Sequence, residues 1–196
     1  MALKPLAIHD LAEAVLACVC EALDQVAEDL EGHPGCPTCR TCVVPGQVAW
    51  DGCEDPCDGT GAGGQLAVSI ARIYPSTRFP DLDREVRGVR GCQPPPTTAA
   101  EMVITLLRCA PAVNEHGCPP TCAELSDAAR VTHVDAATVY NALLCCLPLT
   151  GSRRGRRFVM GEQRIIGPQG GCVGIEQRVT VALPGCAPCP TGLESL

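Results

Sequence analysis

Aromatic side chains are scarce in this chain: two Phe, two Tyr and one Trp make up 3% of its 196 residues. With 46% hydrophobic residues overall, any core must be filled by aliphatic side chains and Ala. Cationic residues are also few, 15 Lys and Arg against 22 Asp and Glu, for a net charge of −7. That balance excludes a surface built to coat nucleic acid, which needs clustered Lys and Arg. It leaves room for passing contact with DNA, because an acidic wall repels the phosphate backbone and lets it slide. No apolar run reaches the roughly 18 to 20 residues of a membrane-spanning helix, so no membrane partner is expected. The opening MALKPLAIHDLAEAVLACVCEALDQ has the look of a signal peptide, but Asp10, Glu13 and Glu21 interrupt its apolar region and Lys4 is its only basic residue. An amphipathic helix is the better reading, and secretion is not expected.

Catalytic signatures are missing too. There is no GxSxG, no HExxH and no recognisable carboxylate pair,. GTGAGG at 59–64 lacks the Gly-Lys-Ser/Thr ending of a phosphate-binding loop,. His9, His33, His116 and His133 could each serve a Cys-His nucleophile only through the abundance of cysteine,. His133 lies on a helix seam, where a packed ring is expected. Neither an enzyme nor a cofactor is indicated.

Cysteine is what the chain has in quantity, 16 residues in all. Such a content is typical of short secreted disulfide scaffolds, and this chain is neither short nor fitted for secretion. Three readings compete. Cys36-x2-Cys39 and Cys186-x2-Cys189 are two knuckle-like pairs that could supply four thiolates to a structural zinc ion, provided the fold joins them,. Cys53-x3-Cys57 and Cys118-x3-Cys122 are looser versions. Disulfides are the second reading: Cys92, Cys109, Cys145, Cys146 and Cys172 scatter among strands, loops and a helix end, while Cys42, Cys53 and Cys57 would pin a loop with few apolar side chains,. The third is that some are merely small buried hydrophobes, as expected of Cys18 on the apolar face of the first helix.

Hydrophobic periodicity predicts a helix over residues 6–31, then a Cys-, Gly- and Pro-rich insertion at 31–64 with a short strand at Gln47–Trp50,. QLAVSIARIYPS reads as a strand, and after a long loop AEMVITLLRCA reads as its antiparallel partner,. Thr121-Cys122-Ala123-Glu124 is a capping-box pattern opening a second helix,. Its expected seam runs through Leu125, Ala129, His133, Ala136, Tyr140, Leu143 and Leu147, with a break near Val134-Asp135 where Asp135 would cap a second segment. Two strands follow, RRFVMGEQRII and CVGIEQRVTVAL, the latter the cleanest period-two pattern in the chain, before a tail at 184–196. No internal repeat is present. The expectation is one α+β domain over 1–196, a small antiparallel or mixed sheet packed by two helices. The run Ser152-Arg153-Arg154-Gly155-Arg156-Arg157 is read as a solvated hairpin entry, its sharper alternative being a contact with DNA or an acidic neighbouring subunit.

Three stretches together carry a resemblance: QLAVSIARIYPSTRFP (65–80), EMVITLLRCAP (101–111) with the helix after Pro119-Pro120, and GPQGGCVGIEQRVTVALPGC (167–186). In this order, over about residues 5–186, the chain resembles head-to-tail connectors of long-tailed phages of high-GC Gram-positive bacteria, most closely the tail terminator. The resemblance implies a small α+β subunit of a virion, assembled in the host cytoplasm into a ring, usually a hexamer. Its implied partners are further copies of itself, the major tail tube protein, the neck or stopper connector and DNA passing through the channel. No active site or cofactor comes with it. The loop from Cys36 to Gly64 exceeds what that minimal fold needs. A virion protein also works outside the cell, where bridges can form late, so disulfides rank above zinc. A zinc-binding adaptor using the CxxC pairs, another neck connector (stopper or adaptor) and a secreted disulfide-stabilised binding protein are the alternatives. For ring closure, the strand over Val173–Leu183 and its partner are the sheet elements expected to supply an edge.

Overall fold

A computed structural model describes residues 6–38, 40–48, 63–84, 97–113, 117–147, 157–169 and 171–183. The chain forms α1 (Ala7–Asp29), β1 (Thr41–Val44), β2 (Gln65–Pro75), β3 (Thr98–Cys109), α2 (Cys122–Cys146), β4 (Phe158–Gln169) and β5 (Cys172–Leu183). The strands make one sheet in the order β1-β2-β3-β5-β4. β1 runs parallel to β2, and the other three pairings are antiparallel. Both helices pack on one face, giving the α+β class with a mixed sheet.

The core lies between helices and sheet. Leu11, Val15, Val19 and Leu23 follow the i, i+4, i+8, i+12 stripe of α1 and are buried against alternate residues of the strands, among them Leu66, Met102, Ile104, Leu106, Ile175 and Val179,. Each fully buried aliphatic side chain contributes about 1.5–3 kcal/mol, which lets the fold dispense with aromatics. At Gly174 a Cβ would collide with the Leu106 carbonyl, so the closest approach of β5 to β3 requires glycine,.

Three expectations are corrected. The short strand is Thr41–Val44, followed by Pro45-Gly46, with Val43 packed on the core; of the expected Gln47–Trp50 strand, Gln47 and Val48 lie outside any strand and Ala49 and Trp50 lie outside the described residues,. The second helix does not break. Its capping box forms as read, with Thr121 Oγ1 accepting from the Glu124 N–H at 3.3 Å and Glu124 Oε2 accepting from the Thr121 N–H at 2.7 Å, but Asp135 turns into the core instead of capping. The buried residues of α2 are therefore Thr132, Asp135, Thr138, Val139, Ala142 and Leu143; of the expected seam, Leu143 and Leu147 are buried as expected, while Leu125, His133 and Tyr140 are exposed. Finally, β5 lies inside the sheet between β3 and β4, so among the described residues the open edges belong to β1 and to β4, the expected partner of β5.

Candidate functional site

The segment after α1 is where cysteine and charge converge. Asp29 ends the helix, and Gly35 takes the left-handed conformation (φ 75°), which brings Cys36 back under the helix,. Cys36 stands at disulfide distance from Cys20 (Cα–Cα 5.0 Å), and its N–H donates to Asp24 Oδ1 at 2.8 Å. Two residues earlier on α1, and so on another side of the helix, Cys18 reaches Cys146 at the end of α2 (Cα–Cα 6.5 Å). One pair ties α1 to the loop and the other ties α1 to α2. A bridge spanning 16 residues adds about 3 kcal/mol by restricting the unfolded chain,.

Beneath this segment lies a buried polar cluster. Arg108, near the end of β3, donates from Nε to Asp135 Oδ2 (2.9 Å) and from Nη2 to Asp135 Oδ1 (2.9 Å), a bidentate pairing, and Nη2 also reaches the Gly35 carbonyl (2.7 Å),. His33 Nε2 meets Asp135 Oδ1 at 3.0 Å, and the Gly35 N–H donates to His33 Nδ1 at 3.2 Å. Because a backbone N–H can only donate, Nδ1 accepts and the ring proton sits on Nε2, facing the carboxylate. The Asp135, His33 and Arg108 side chains are 2%, 3% and 7% exposed. An Asp–His pair is an element of many catalytic sites, but here both ring nitrogens are occupied and closed to water. No ring nitrogen is left to take a substrate proton, so the cluster works as a clasp between loop, strand and helix.

The helix-free face carries a second charged system. Arg72 on β2 pairs with Glu101 on β3, Arg178 on β5 joins Glu101 (2.9 Å) to Glu176 (3.1 Å), and Arg164 on β4 closes on Glu176 (3.0 Å). Burial pushes the Glu101 carboxyl up, but hydrogen bonds from Arg72 and Arg178, aided by their charges, outweigh it and hold the group below its ordinary value,. Ser69, Thr105, Glu176 and the two arginines Arg164 and Arg178 line an open depression of about 590 Å³ there. Each of those guanidiniums already faces a carboxylate, so the depression is not built to capture an anion.

The third feature is the β4 edge. Val159 and Ile165 are exposed on it, and its pairing with β5 shifts between Met160 and Gln163. Inside that bulge the Gly161 carbonyl accepts from Gln177 Nε2 (3.1 Å), and Gln163 Nε2 donates to the Ala136 carbonyl of α2 (2.9 Å),. An apolar groove of about 250 Å³ runs beside it, lined by Leu125, Ala129, His133, Ile165, Pro168 and Val173. The exposed part of the expected helix seam is one wall of this groove.

The cysteines divide as follows. Cys146, read as a bridge former, pairs with Cys18, which corrects the reading of Cys18 as a plain buried hydrophobe. Cys36, the first member of the zinc set, pairs with Cys20, a residue the sequence reading did not single out. Cys42 is exposed on β1 and Cys145 on α2. Cys109 stands directly opposite Cys172 across β3 and β5. Cys39, Cys53, Cys57, Cys92, Cys186 and Cys189 lie outside the described residues, as does His116. Among the described residues no group of three or more His, Cys, Asp or Glu is placed to hold a metal. The signal that could have revealed the clasp is Asp135 itself: it falls i−4 and i−8 from Val139 and Leu143, and a carboxylate on a buried stripe demands a cation. No protein-family profile matches the chain, and no curated protein matches it significantly.

Proposed function

We propose that the protein is a structural subunit that closes head to tail into a ring at a phage tail terminus, acting as a tail terminator between the tail tube and the neck connector. The observation that carries this reading is the inequality of the two sheet edges. At one side lies β4, twelve residues long and largely exposed; at the other lies β1, four residues long. An isologous dimer joins like to like, whereas unlike flanks join successive copies and close a ring when the rotation allows. The flanks also differ in chemistry. α1, on the β1 side, carries six carboxylates and no Lys or Arg, with Asp10, Glu13, Glu21, Asp24 and Glu28 at the spacing of one exposed stripe,. Like charges at such spacing repel along the helix, a cost a cationic neighbour would offset. The β4 side instead offers the exposed apolar side chains Leu125 and Ile165. The three stretches that resemble phage tail terminators supply the biological setting, with the tail tube protein, the neck connector and passing DNA as the further partners.

Native mass spectrometry and negative-stain imaging of the full chain test the reading, with a closed ring of six expected. Leu125→Asp with Ile165→Asp should disable the β4 flank, and Glu21→Lys with Glu28→Lys the α1 flank, each leaving a folded monomer. Mixing the two variants restores one good interface, so they should form a 1:1 dimer that grows no further. A wild-type chain that stays monomeric at every concentration sinks the ring reading. Rings that persist in both variants would move the interface elsewhere.

A further inference from the structure

We infer that Cys109 and Cys172 form a third disulfide, one that locks β3 to β5 within the sheet, whereas the two cysteine pairs already described tie α1 to α2 and to the loop. The two residues are register partners in the antiparallel pairing of β3 with β5. Next to them the Ala110 N–H donates to the Gly171 carbonyl at 2.8 Å. That bond joins the residue after Cys109 to the residue before Cys172, which makes Cys109 and Cys172 a non-hydrogen-bonded pair. In such pairs the Cα atoms stand about 4.5 Å apart and the side chains on the shared face come closest. A disulfide needs a Cα separation of about 4.4–6.8 Å. Both side chains leave the helix-free face, since Arg108, between Leu107 and Cys109 in sequence, turns into the clasp on the other one,. The floor there is apolar: Cys172 packs with Leu107, Val48 and Ile166, and Gly174 opposite Leu107 presents no side chain.

Exposure sets the order of events. Cys109 is exposed and Cys172 is 2% exposed. In a glutathione buffer the Cys109 thiolate attacks glutathione disulfide, releasing one glutathione and leaving a mixed disulfide. The Cys172 thiolate then attacks the Cys109 sulfur and releases the second glutathione. Two protein thiols are thus oxidised and one glutathione disulfide is reduced to two glutathiones, with the two thiol protons carried by the leaving thiolates. This bridge is independent of whether copies of the chain assemble.

Non-reducing peptide mapping of the full chain decides the matter. The protein is equilibrated with glutathione disulfide until Cys20–Cys36 is fully closed, alkylated and digested with trypsin, which cuts after Arg108, Arg164 and Arg178. The expected product joins the peptide beginning at Cys109 to the peptide 165–178, whose single cysteine is Cys172. Fragmentation must place the link on Cys109, because Cys118 and Cys122 share its peptide. In Cys109→Ser the linked product should vanish and the 165–178 peptide should appear alkylated once the chain is unfolded. Reduction should lower the thermal midpoint less in that variant than in the wild type. Recovery of Cys172 alkylated, or linked to any other cysteine, in protein with Cys20–Cys36 closed overturns the assignment.

Discussion

The two faces of the sheet both carry arginine–carboxylate pairs, under opposite conditions of access to water. On the helix-covered face Arg108 and Asp135 are sealed beneath α1, α2 and the Gly35 loop, and every oxygen of the carboxylate is engaged. On the open face Arg72, Arg164 and Arg178 are 58%, 53% and 38% exposed, and their carboxylates are shared. The same chemistry therefore does different jobs. A buried pair adds little stability over a well-packed apolar substitute, but removing one member strands a charge in a low dielectric. An exposed pair competes with water and salt, and losing a member costs little. The covered pair fixes which parts of the chain meet, whereas the open row is a solvated surface with local order.

The sharpest way to break this contrast is on the covered face. Asp135→Ala leaves Arg108 buried without its carboxylate and His33 without its acceptor, and should cost about 3–5 kcal/mol of unfolding free energy. Denaturant unfolding of the oxidised protein checks it. Asp135→Asn, which keeps two polar atoms at the site, should recover part of the loss. A loss below about 1 kcal/mol for the alanine variant would mean that water reaches Arg108, and the distinction between the faces would collapse.

The uneven legibility of the fold has the same physical origin. α1 and β5 bury one face against apolar neighbours, so their periods survive in the sequence: Leu11, Val15, Val19 and Leu23 on the helix, Ile175, Val179 and Val181 on the last strand; β3, buried on both faces, reads instead as a near-continuous apolar run,. α2 misled because its middle buries the polar Thr132, Asp135 and Thr138, while Leu125 and Tyr140 face outward; only Val139, Ala142, Leu143 and Leu147 mark the buried side as apolar. A helix that mixes polar and apolar residues on both sides is poorly oriented by hydrophobicity alone. The place of β5 inside the sheet was equally hidden, since strand order depends on pairings between distant segments that local pattern does not encode. Cys18 and Cys20 look alike in sequence, two positions apart on one helix, and only the placement of Cys146 and Cys36 separates their partners.

A middle-sized effect is expected from Glu101, the least exposed member of the open row. Its carboxyl is held below the ordinary value of 4.5, so in the folded chain it stays ionised at a pH where the unfolded chain has begun to bind a proton,. The stability it contributes is present above about pH 4.5 and is lost as pH falls through the lower folded value. Glu101→Gln should therefore lower stability above about pH 5 and flatten the acid limb, so that variant and wild type converge as the pH falls. Chemical denaturation between pH 3 and 7 measures it. An acid limb identical to the wild type would mean that Arg72 and Arg178 do not hold the carboxylate in solution.

The smallest effect should come from Arg164, and its smallness is the point. The side chain is 53% exposed and meets Glu176 at 3.0 Å, while Glu176 keeps Arg178 when Arg164 is removed. Arg164→Ala therefore strands no charge, and the loss should stay below about 0.5 kcal/mol. For a chain of this size that is a shift of about 1–2 °C in thermal midpoint. Salt supplies the control: the Debye length falls from about 10 Å at 0.1 M to about 3 Å at 1 M, so the small difference between wild type and variant should shrink toward zero. Asp135→Ala measured in the same two buffers should keep most of its deficit, because screening ions do not enter the clasp. If both deficits vanished together in high salt, the two faces would be equally wet, and the clasp would be one more surface pair.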